Sequence, residues 1–254
     1  CKKIVPMTDL IFWADSHHRY GYNNESTFHT KSSAMITIDS REIDIDVGQD
    51  IWLTGNLTIP EGCHALVIFS HGSGSSRFSI RNRYVAGYLN KHHIATLLID
   101  LLTREEDQES RNRFDIDLLT DRLVSVTTYV HTLPQLSTCM TGYFGASTGA
   151  ASALSAASRM GDKIRAVVSR GGRPDLAASF LDKVKVPVLL IVGSLDTEVV
   201  TLNRKALILL KGEKQITIVE GASHLFEETG KLDEVARLAN EWFEKHLISA
   251  IALH

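Results

Sequence analysis

The hydrophobic and polar positions follow two different patterns from residue 35 onward. Residues 36–47 (ITIDSREIDIDV) and 50–60 (DIWLTGNLTIP) alternate apolar and polar side chains. Such alternation is typical of half-exposed strands, so these segments predict one antiparallel pair. Six later runs are apolar almost throughout, at residues 64–72, 95–102, 139–147, 164–172, 187–194 and 214–221. Short runs of this kind are typical of a parallel sheet that is buried on both faces.

Segments with helical spacing separate the apolar runs. They lie at residues 82–91, 116–133, 147–159, 174–184, 198–210 and 231–247. Strands that alternate with helices predict right-handed βαβ units, with helices on both faces of the sheet. The predicted fold class is therefore α/β, with a mostly parallel central sheet of about eight strands.

One domain is expected, at residues 35–254. The 254 residues suit a single α/β core, and no linker, repeat or shift of composition divides this part. Residues 1–34 show little periodicity and are expected to be an N-terminal arm, a leader or an artificial extension. Because the sequence begins with Cys1, a lipoprotein anchored through this cysteine is the alternative to a cytoplasmic protein.

Composition and charge narrow the classes of function. The net charge of −3 gives no basic field that would attract nucleic acid, so no nucleic-acid partner is expected. No apolar run approaches the roughly 18 residues that a membrane-spanning helix needs. The cysteines Cys1, Cys63 and Cys139 are widely spaced and indicate neither a zinc site nor a disulfide framework. We expect no metal, no cofactor and a reducing compartment.

A serine between two glycines stands where the run at residues 139–147 ends. The stretch Gly145-Ala146-Ser147-Thr148-Gly149 has the form G-x-S-x-G and leads from a strand pattern into a helix pattern. In that context it predicts a nucleophile elbow, a turn so tight that only small residues fit beside the serine. Ser147 would lie at the helix N-terminus, where the helix dipole favours negative charge. The alternative is a serine that only caps a tightly packed helix.

A serine nucleophile needs a base and an acid, and candidates for both follow in the chain. Asp196 follows the run at residues 187–194, and His224 follows the run at residues 214–221. The order serine, acid, histidine is that of α/β hydrolases. We expect His224 to act as the general base and Asp196 to orient it. Glu198 and Asp175 are alternative acids, since each also lies shortly after an apolar run.

The glycine-rich stretch after the first apolar run predicts an oxyanion hole. Residues 70–76 read SHGSGSS, and glycines let the backbone approach a ligand closely. The expected donors are the backbone N–H groups of Ser73 or Gly74 together with that of Thr148. His71 is expected to shape this loop. A nucleotide site is the alternative, but the stretch lacks the P-loop lysine, and Arg77 stands where a dinucleotide fingerprint has its third glycine.

Five motifs between about residues 40 and 247 together resemble the dienelactone-hydrolase-like branch of the α/β-hydrolase superfamily. They are HGSGSSRFSIRNR, GYFGASTGAASAL, SRGGRPDL, LLIVGSLD and GASHLFEE. The resemblance implies an α/β-hydrolase fold and esterase-like chemistry. Lids in this superfamily usually enter after the sixth strand, but SRGG leads directly into PDLAASFLDKV, so no cap domain is expected. Dienelactone hydrolase proper uses a cysteine nucleophile; Ser147 departs from that pattern, and lactone specificity is therefore not implied.

Arginines near the expected pocket mouth suit an anionic substrate. Arg77 and Arg81 follow the glycine-rich stretch, and Arg170 and Arg173 lie at the end of the run at residues 164–172. An arginine fork matches a carboxylate or phosphate. The alternative is that these side chains pair with nearby acids and hold loops.

The predicted function is that of a serine hydrolase. It would cleave a small ester or thioester through an acyl-enzyme, and the arginines would suit an anionic acyl group. Residues 103–115 (TREEDQESRNRFD) read as a solvated loop rather than an apolar cover, which indicates a small, open pocket. The alternatives are an acyltransferase that uses the same triad and a non-catalytic ligand-binding module that retains the fold.

Overall fold

The computed structural model describes residues 38–249, so the expected arm at residues 1–34 lies outside the described part. The strands are β1 Ile38–Asp46, β2 Trp52–Pro60, β3 Ala65–Ser70, β4 Ile94–Ile99, β5 Met140–Ala146, β6 Ile164–Arg170, β7 Val188–Gly193 and β8 Lys214–Val219. They form one eight-stranded sheet in the order β1-β2-β4-β3-β5-β6-β7-β8. The number of strands and their arrangement confirm the predicted fold class.

The two alternating segments form the antiparallel edge of the sheet. β1 pairs with β2 along its whole length, from Ile38 opposite Pro60 to Asp46 opposite Trp52. β2 also pairs antiparallel with β4, and every other pairing in the sheet is parallel. Leu53 and Leu57 of β2 are buried while their neighbours are not, because only one face of this edge meets the core.

Within residues 38–249, four α-helices connect strands and a fifth follows β8. Ser79 caps the first helix by accepting the Asn82 N–H, and Asp115 caps the second by accepting the Leu118 N–H. The last helix continues into a π-helical turn over Glu244–Ile248. The helices are α1 Ile80–Lys91, α2 Ile116–Val130, α3 Thr148–Met160, α4 Thr197–Leu209 and α5 Lys231–Phe243.

Each face of the sheet has its own hydrophobic core. Side chains of α2, α3 and α4 pack on one face, where Leu123 and Leu154 are fully buried. Side chains of α1 and α5 pack on the other face, where the rings of Phe69 and Phe144 lie 4.8 Å apart. Helices therefore cover both faces, as the alternation of strands and helices predicts.

The helix predicted at residues 174–184 is wrong. The segment forms two short 3₁₀ turns, Pro174–Ala177 and Leu181–Lys183. The residues at helical spacing, Ala177 and Leu181, are buried as the pattern indicates. Short 3₁₀ turns can bury the same side chains, so apolar residues at helical spacing do not distinguish them from an α-helix. The connection from β6 to β7 consists of these turns and loops, without an inserted cap.

The loop at residues 103–115 is more ordered than its composition suggests. It contains two 3₁₀ turns, Glu106–Gln108 and Ser110–Phe114. Arg122 of α2 reaches Glu106 at 2.6 Å and ties the loop to the core.

The parallel strands β3 to β8 all point the same way, so their carboxyl ends meet at one edge of the sheet. Ligands of open α/β sheets bind at this edge. The loops after β3, β5, β6, β7 and β8 carry the candidate site residues of the sequence analysis.

Candidate active site

Ser147 occupies the turn between β5 and α3 in a strained conformation. Its φ is 51° and its ψ is −121°. A non-glycine residue in such a region costs on the order of 1–3 kcal/mol. Its N–H donates to the Arg170 carbonyl at 3.2 Å, and its carbonyl accepts the N–H groups of Ala150 at 3.1 Å and Arg173 at 3.0 Å. These bonds hold the serine at the end of β5, directly before the helix.

Glycines flank Ser147 because no Cβ atom fits there. A Cβ at Gly145 would lie 2.5 Å from the Ala150 Cα. A Cβ at Gly149 would lie 2.2 Å from the Ser70 carbonyl oxygen. The close approach of α3 to the ends of β3 and β5 therefore requires glycine at both positions.

His224 and Asp196 are in direct contact. The His224 Nδ1 lies 2.6 Å from an Asp196 carboxylate oxygen, and Asp196 stands at the N-cap of α4, just after β7. A carboxylate partner fixes the proton on Nδ1 and leaves Nε2 as the acceptor. The two alternative acids are placed differently: Asp175 binds Arg173, and Glu198 lies in the first turn of α4.

Two further hydrogen bonds hold the loops that carry this pair. The Ser194 hydroxyl accepts the Gly221 N–H at 2.8 Å and joins the ends of β7 and β8. Both oxygens of the Glu228 carboxylate accept the Ser223 N–H, at 3.1 and 3.2 Å. Hydrogen bonding with Ser223 lowers the pKa of Glu228. Sequence reasoning missed Ser194 and Glu228, since no motif marks a polar side chain that accepts a hydrogen bond from a loop N–H group.

Ser147 and His224 line the same pocket, which has a volume of about 250 Å³. Ser73 and Arg170 also line it. A larger cavity of about 500 Å³ is also lined in part by the glycine-rich loop, and Ser75 lines both. The serine and histidine therefore face a common space large enough for a small acyl group.

The glycine-rich loop lies directly against the nucleophile turn. A Cβ at Gly72 would lie 3.0 Å from the Ser147 Cβ. The Ser73 N–H donates to the Thr148 hydroxyl at 2.7 Å, so this expected donor has a partner within the protein. Gly74 has a φ of 71°, which its lack of a side chain allows. The His71 Nδ1 lies 3.0 Å from the Gly72 carbonyl oxygen, within the same loop.

Two of the four candidate arginines are held by acids away from the Ser147 pocket. Arg77 contacts Asp100 at 2.7 Å and Glu42 at 2.8 Å. Arg173 makes a two-pronged contact with Asp175, at 2.9 and 2.7 Å. The hydrogen bond with Asp175 raises the pKa of Arg173. Both arginines follow the alternative of the sequence analysis, in which they hold loops.

Arg170 and Arg81 line the pocket with Ser147. Arg81 contacts Glu227 at 2.8 Å. Arg170 is buried, and its Nε and Nη1 atoms have no hydrogen-bond partner within residues 38–249. Burial, and secondarily the positive charge of Arg81, lower the pKa of Arg170 to about 10. The guanidinium is therefore still charged at neutral pH, and the pocket wall is positive.

Residues 38–249 contain no group of three or more histidine, cysteine, aspartate or glutamate side chains that could hold a metal ion. None of the helices in this described part is both long enough and apolar enough to cross a membrane.

The sequence model of the dienelactone hydrolase family matches residues 91–248, which is more than half of the chain. The chain belongs to the dienelactone hydrolase family. The matched part includes Ser147, Asp196 and His224, whereas the glycine-rich loop precedes it. The resemblance found in the sequence motifs is thereby confirmed.

A solved member of the family has a similar structure. The dienelactone hydrolase from Anabaena variabilis ATCC 29413 is 50% identical in sequence, with a TM-score of 0.80. The match covers 83% of this chain and 99% of that one. Est1E from Butyrivibrio proteoclasticus is only 18% identical, with a TM-score of 0.70 over 80% of this chain and 98% of its own, and supports the fold alone.

Longer relatives occur in Mycobacterium tuberculosis. Proteins from strains CDC 1551 and H37Rv, both provisionally named phosphoribosyl transferases, are 54% identical over 195 residues. The match covers 77% of this chain but 44% of each relative. This dienelactone hydrolase family member therefore spans less than half the length of the curated relatives it matches.

Proposed function

We propose that this chain is a serine hydrolase that cleaves a small ester or thioester through an acyl-enzyme intermediate. One observation carries the proposal: Ser147, held at a φ of 51°, shares a pocket with His224, whose other ring nitrogen lies 2.6 Å from Asp196. Nucleophile, base and orienting acid thus come from three loops at one edge of the sheet. This is the constellation that acyl transfer to serine requires.

The chemistry follows from these positions. The Ser147 Oγ attacks the carbonyl carbon while the His224 Nε2 takes the hydroxyl proton, and Asp196 stabilises the resulting imidazolium. The tetrahedral oxyanion forms beside the N-terminus of α3, where the Thr148 N–H and the helix dipole favour negative charge. His224 then gives the proton to the leaving group, and the acyl-enzyme remains. Water, activated by His224 in the same way, releases the acid and restores Ser147.

Two nitrogens of the buried Arg170 guanidinium lack a hydrogen-bond partner within residues 38–249, which supports a substrate with an anionic acyl group. A buried guanidinium without a counter-ion is costly, and a carboxylate or phosphate on the substrate would supply the missing acceptors. Arg81 lines the same pocket although it pairs with Glu227, whereas Arg77 and Arg173 have acidic partners and do not line this pocket. The substrate-binding role proposed for the four arginines therefore narrows to Arg170 and Arg81.

The transferase name of the mycobacterial relatives belongs, in this proposal, to the larger part of those proteins that this chain does not match. The described residues of this chain form a complete eight-stranded hydrolase sheet of their own. Transfer of the acyl group to an acceptor other than water would use the same residues, so it differs from hydrolysis only in its product.

The test compares wild type with Ser147→Ala on a panel of short-chain p-nitrophenyl esters, together with labelling by a fluorophosphonate probe. We expect wild type to turn over and to label, and Ser147→Ala to do neither, because the nucleophile is gone. Ser158→Ala is a matched control, since this serine lies on the same helix and its hydroxyl binds the Ser155 carbonyl. Equal turnover by Ser147→Ala and wild type would refute the proposal.

A further inference from the structure

The hydroxyl of Thr148 is attached to the residue that follows the nucleophile. Its Oγ1 accepts the Ser73 N–H at 2.7 Å, and Thr148 is buried directly after Ser147. Ser73 lines the pocket with Ser147 and His224. The hydroxyl therefore joins the two segments that were expected to supply separate oxyanion donors.

The proton of this hydroxyl has no partner in the described part of the chain. A threonine hydroxyl has one O–H donor and two acceptor lone pairs, and the Ser73 N–H occupies one lone pair. Four other helical threonines give their proton to the carbonyl four residues earlier. Thr148 is the first residue of α3, so no carbonyl of its own helix precedes it at that distance. The four threonines that do bond the carbonyl four residues earlier are Thr120, Thr127, Thr128 and Thr201.

The hydroxyl belongs to the residue whose backbone N–H is expected to bind the oxyanion, and it contacts Ser73, which lines the Ser147 pocket. The Thr148 N–H is the donor that follows the nucleophile, and Oγ1 belongs to the same residue. The Gly72 backbone lies so close that a Cβ there would be 3.0 Å from the Ser147 Cβ and 3.7 Å from its Oγ. The loop, the hydroxyl and the nucleophile thus form one compact group.

We propose that the Thr148 hydroxyl is a catalytic hydrogen-bond donor of the oxyanion hole. It accepts the Ser73 N–H and donates its own proton to the oxyanion, beside the Thr148 backbone N–H. The Ser73 N–H strengthens this donor by polarising it, rather than binding the oxyanion directly. The inference rests on the proposed hydrolase function.

The experiment uses Thr148→Val, which keeps the shape of the side chain and removes the hydroxyl. Loss of one oxyanion donor lowers kcat by about 100- to 1000-fold in known cases. We expect a fall of at least about tenfold here, since the freed Ser73 N–H replaces part of the bond, with KM little changed. Thr148→Ser, which keeps the hydroxyl, should stay within about threefold of wild type. Thr128→Val controls for the replacement of threonine by valine at an exposed helical position.

A second measurement distinguishes hydrogen-bond donation by the Thr148 hydroxyl to the oxyanion from a purely structural role of this hydroxyl in holding the loop. Sulfur is a weaker hydrogen-bond acceptor than oxygen, so a thionoester gains less from an oxyanion donor than the matching ester does. Thr148→Val should therefore lower the rate ratio of ester to thionoester about tenfold, whereas a displaced Ser147 would slow both substrates alike.

The outcomes separate the two proposals. An unchanged or raised kcat in Thr148→Val, or an unchanged ester-to-thionoester ratio, overturns the donor role while the hydrolase function stands. Wild type without turnover or fluorophosphonate labelling overturns the hydrolase function itself. Equal unfolding midpoints of the variant and wild type establish that the comparison is made on folded protein.

Discussion

At the scale of single residues, the anion-binding role proposed for Arg170 would carry a free-energy penalty in the unliganded protein. Its side chain is enclosed at the end of β6, and two of its nitrogens have no partner within residues 38–249. Desolvation disfavours the charged form, which is why the pKa falls to about 10. Burial of the charged guanidinium therefore lowers the free energy of unfolding at every pH below about 10, and a bound anion would remove this penalty.

The first residue-scale prediction concerns substrate choice. Arg170→Met should lower kcat/KM for esters with a carboxylate on the acyl group by about 10- to 100-fold, the worth of one or two charged hydrogen bonds. Neutral esters of the same length should react within about twofold of wild type. Arg173→Met is the control, since Asp175 already holds that side chain. Equal losses for both ester classes, or no loss at all, would contradict the anion site.

The pH dependence of this site has a definite sign. Arg170 is a base whose pKa is lowered, so it stays charged below about pH 10 and loses its proton as pH rises through that value. Inhibition of wild type by a non-reacting carboxylate analogue should therefore weaken between about pH 9 and 11. Arg170→Met should not show this change of inhibition with pH. If the change persists in the variant, it comes from the titration of another group.

At the scale of elements, the connection between β5 and α3 sets the position of Ser147, the proposed nucleophile. The helix starts one residue after Ser147 and lies against the carbonyl groups that end β3. The contact is so close that it admits glycine alone at residue 149. The position of Ser147 therefore depends on the position of α3, because moving the helix outward would also move Ser147.

The element-scale prediction compares two helical glycines. Gly149→Ala should lower the free energy of unfolding by about 3 kcal/mol or more, since its Cβ would overlap the Ser70 carbonyl oxygen at 2.2 Å. Gly87→Ala in α1, where a new Cβ meets nothing within 4 Å, should raise it by about 0.5–1 kcal/mol. Urea unfolding monitored by circular dichroism measures both. A harmless Gly149→Ala would show that the close contact is not required.

Sequence patterns predict the elements well where local spacing decides them. The apolar runs at all six parallel strands and the glycines around Ser147 are local signals of this kind. The segment at residues 174–184 has helical spacing but forms two 3₁₀ turns, which bury the same apolar side chains and which spacing alone does not distinguish from an α-helix. The lack of hydrogen-bond partners for two Arg170 nitrogens and the Ser73–Thr148 hydrogen bond both depend on residues far apart in sequence, so only the folded chain shows them.

At the scale of the whole molecule, one sheet organises both stability and the candidate site. The parallel strands place five loops at one edge, and the antiparallel pair β1 and β2 closes one side of the sheet. All eight strands lie between residues 38 and 219, and the last helical turn ends at residue 248.

The whole-molecule prediction concerns the domain boundary. A fragment of residues 35–254 should fold alone, with an unfolding midpoint within about 2 °C of the full chain and the same kcat/KM, because every strand of the sheet is retained. Thermal unfolding and ester hydrolysis test both claims. A fragment that starts at residue 48 loses β1 and should be clearly less stable. A large loss in the longer fragment would place a needed segment before residue 35.

The short connection between β6 and β7 contains no cap domain that would cover the pocket. A space of about 250 Å³ limits the size of the acyl group that reaches Ser147, but nothing inserted after β6 encloses the group on the other side of the ester bond. Under the proposed hydrolase function, size selection would therefore act on the acyl end of the substrate only. The same pocket would then release one small acid from alcohols of very different size.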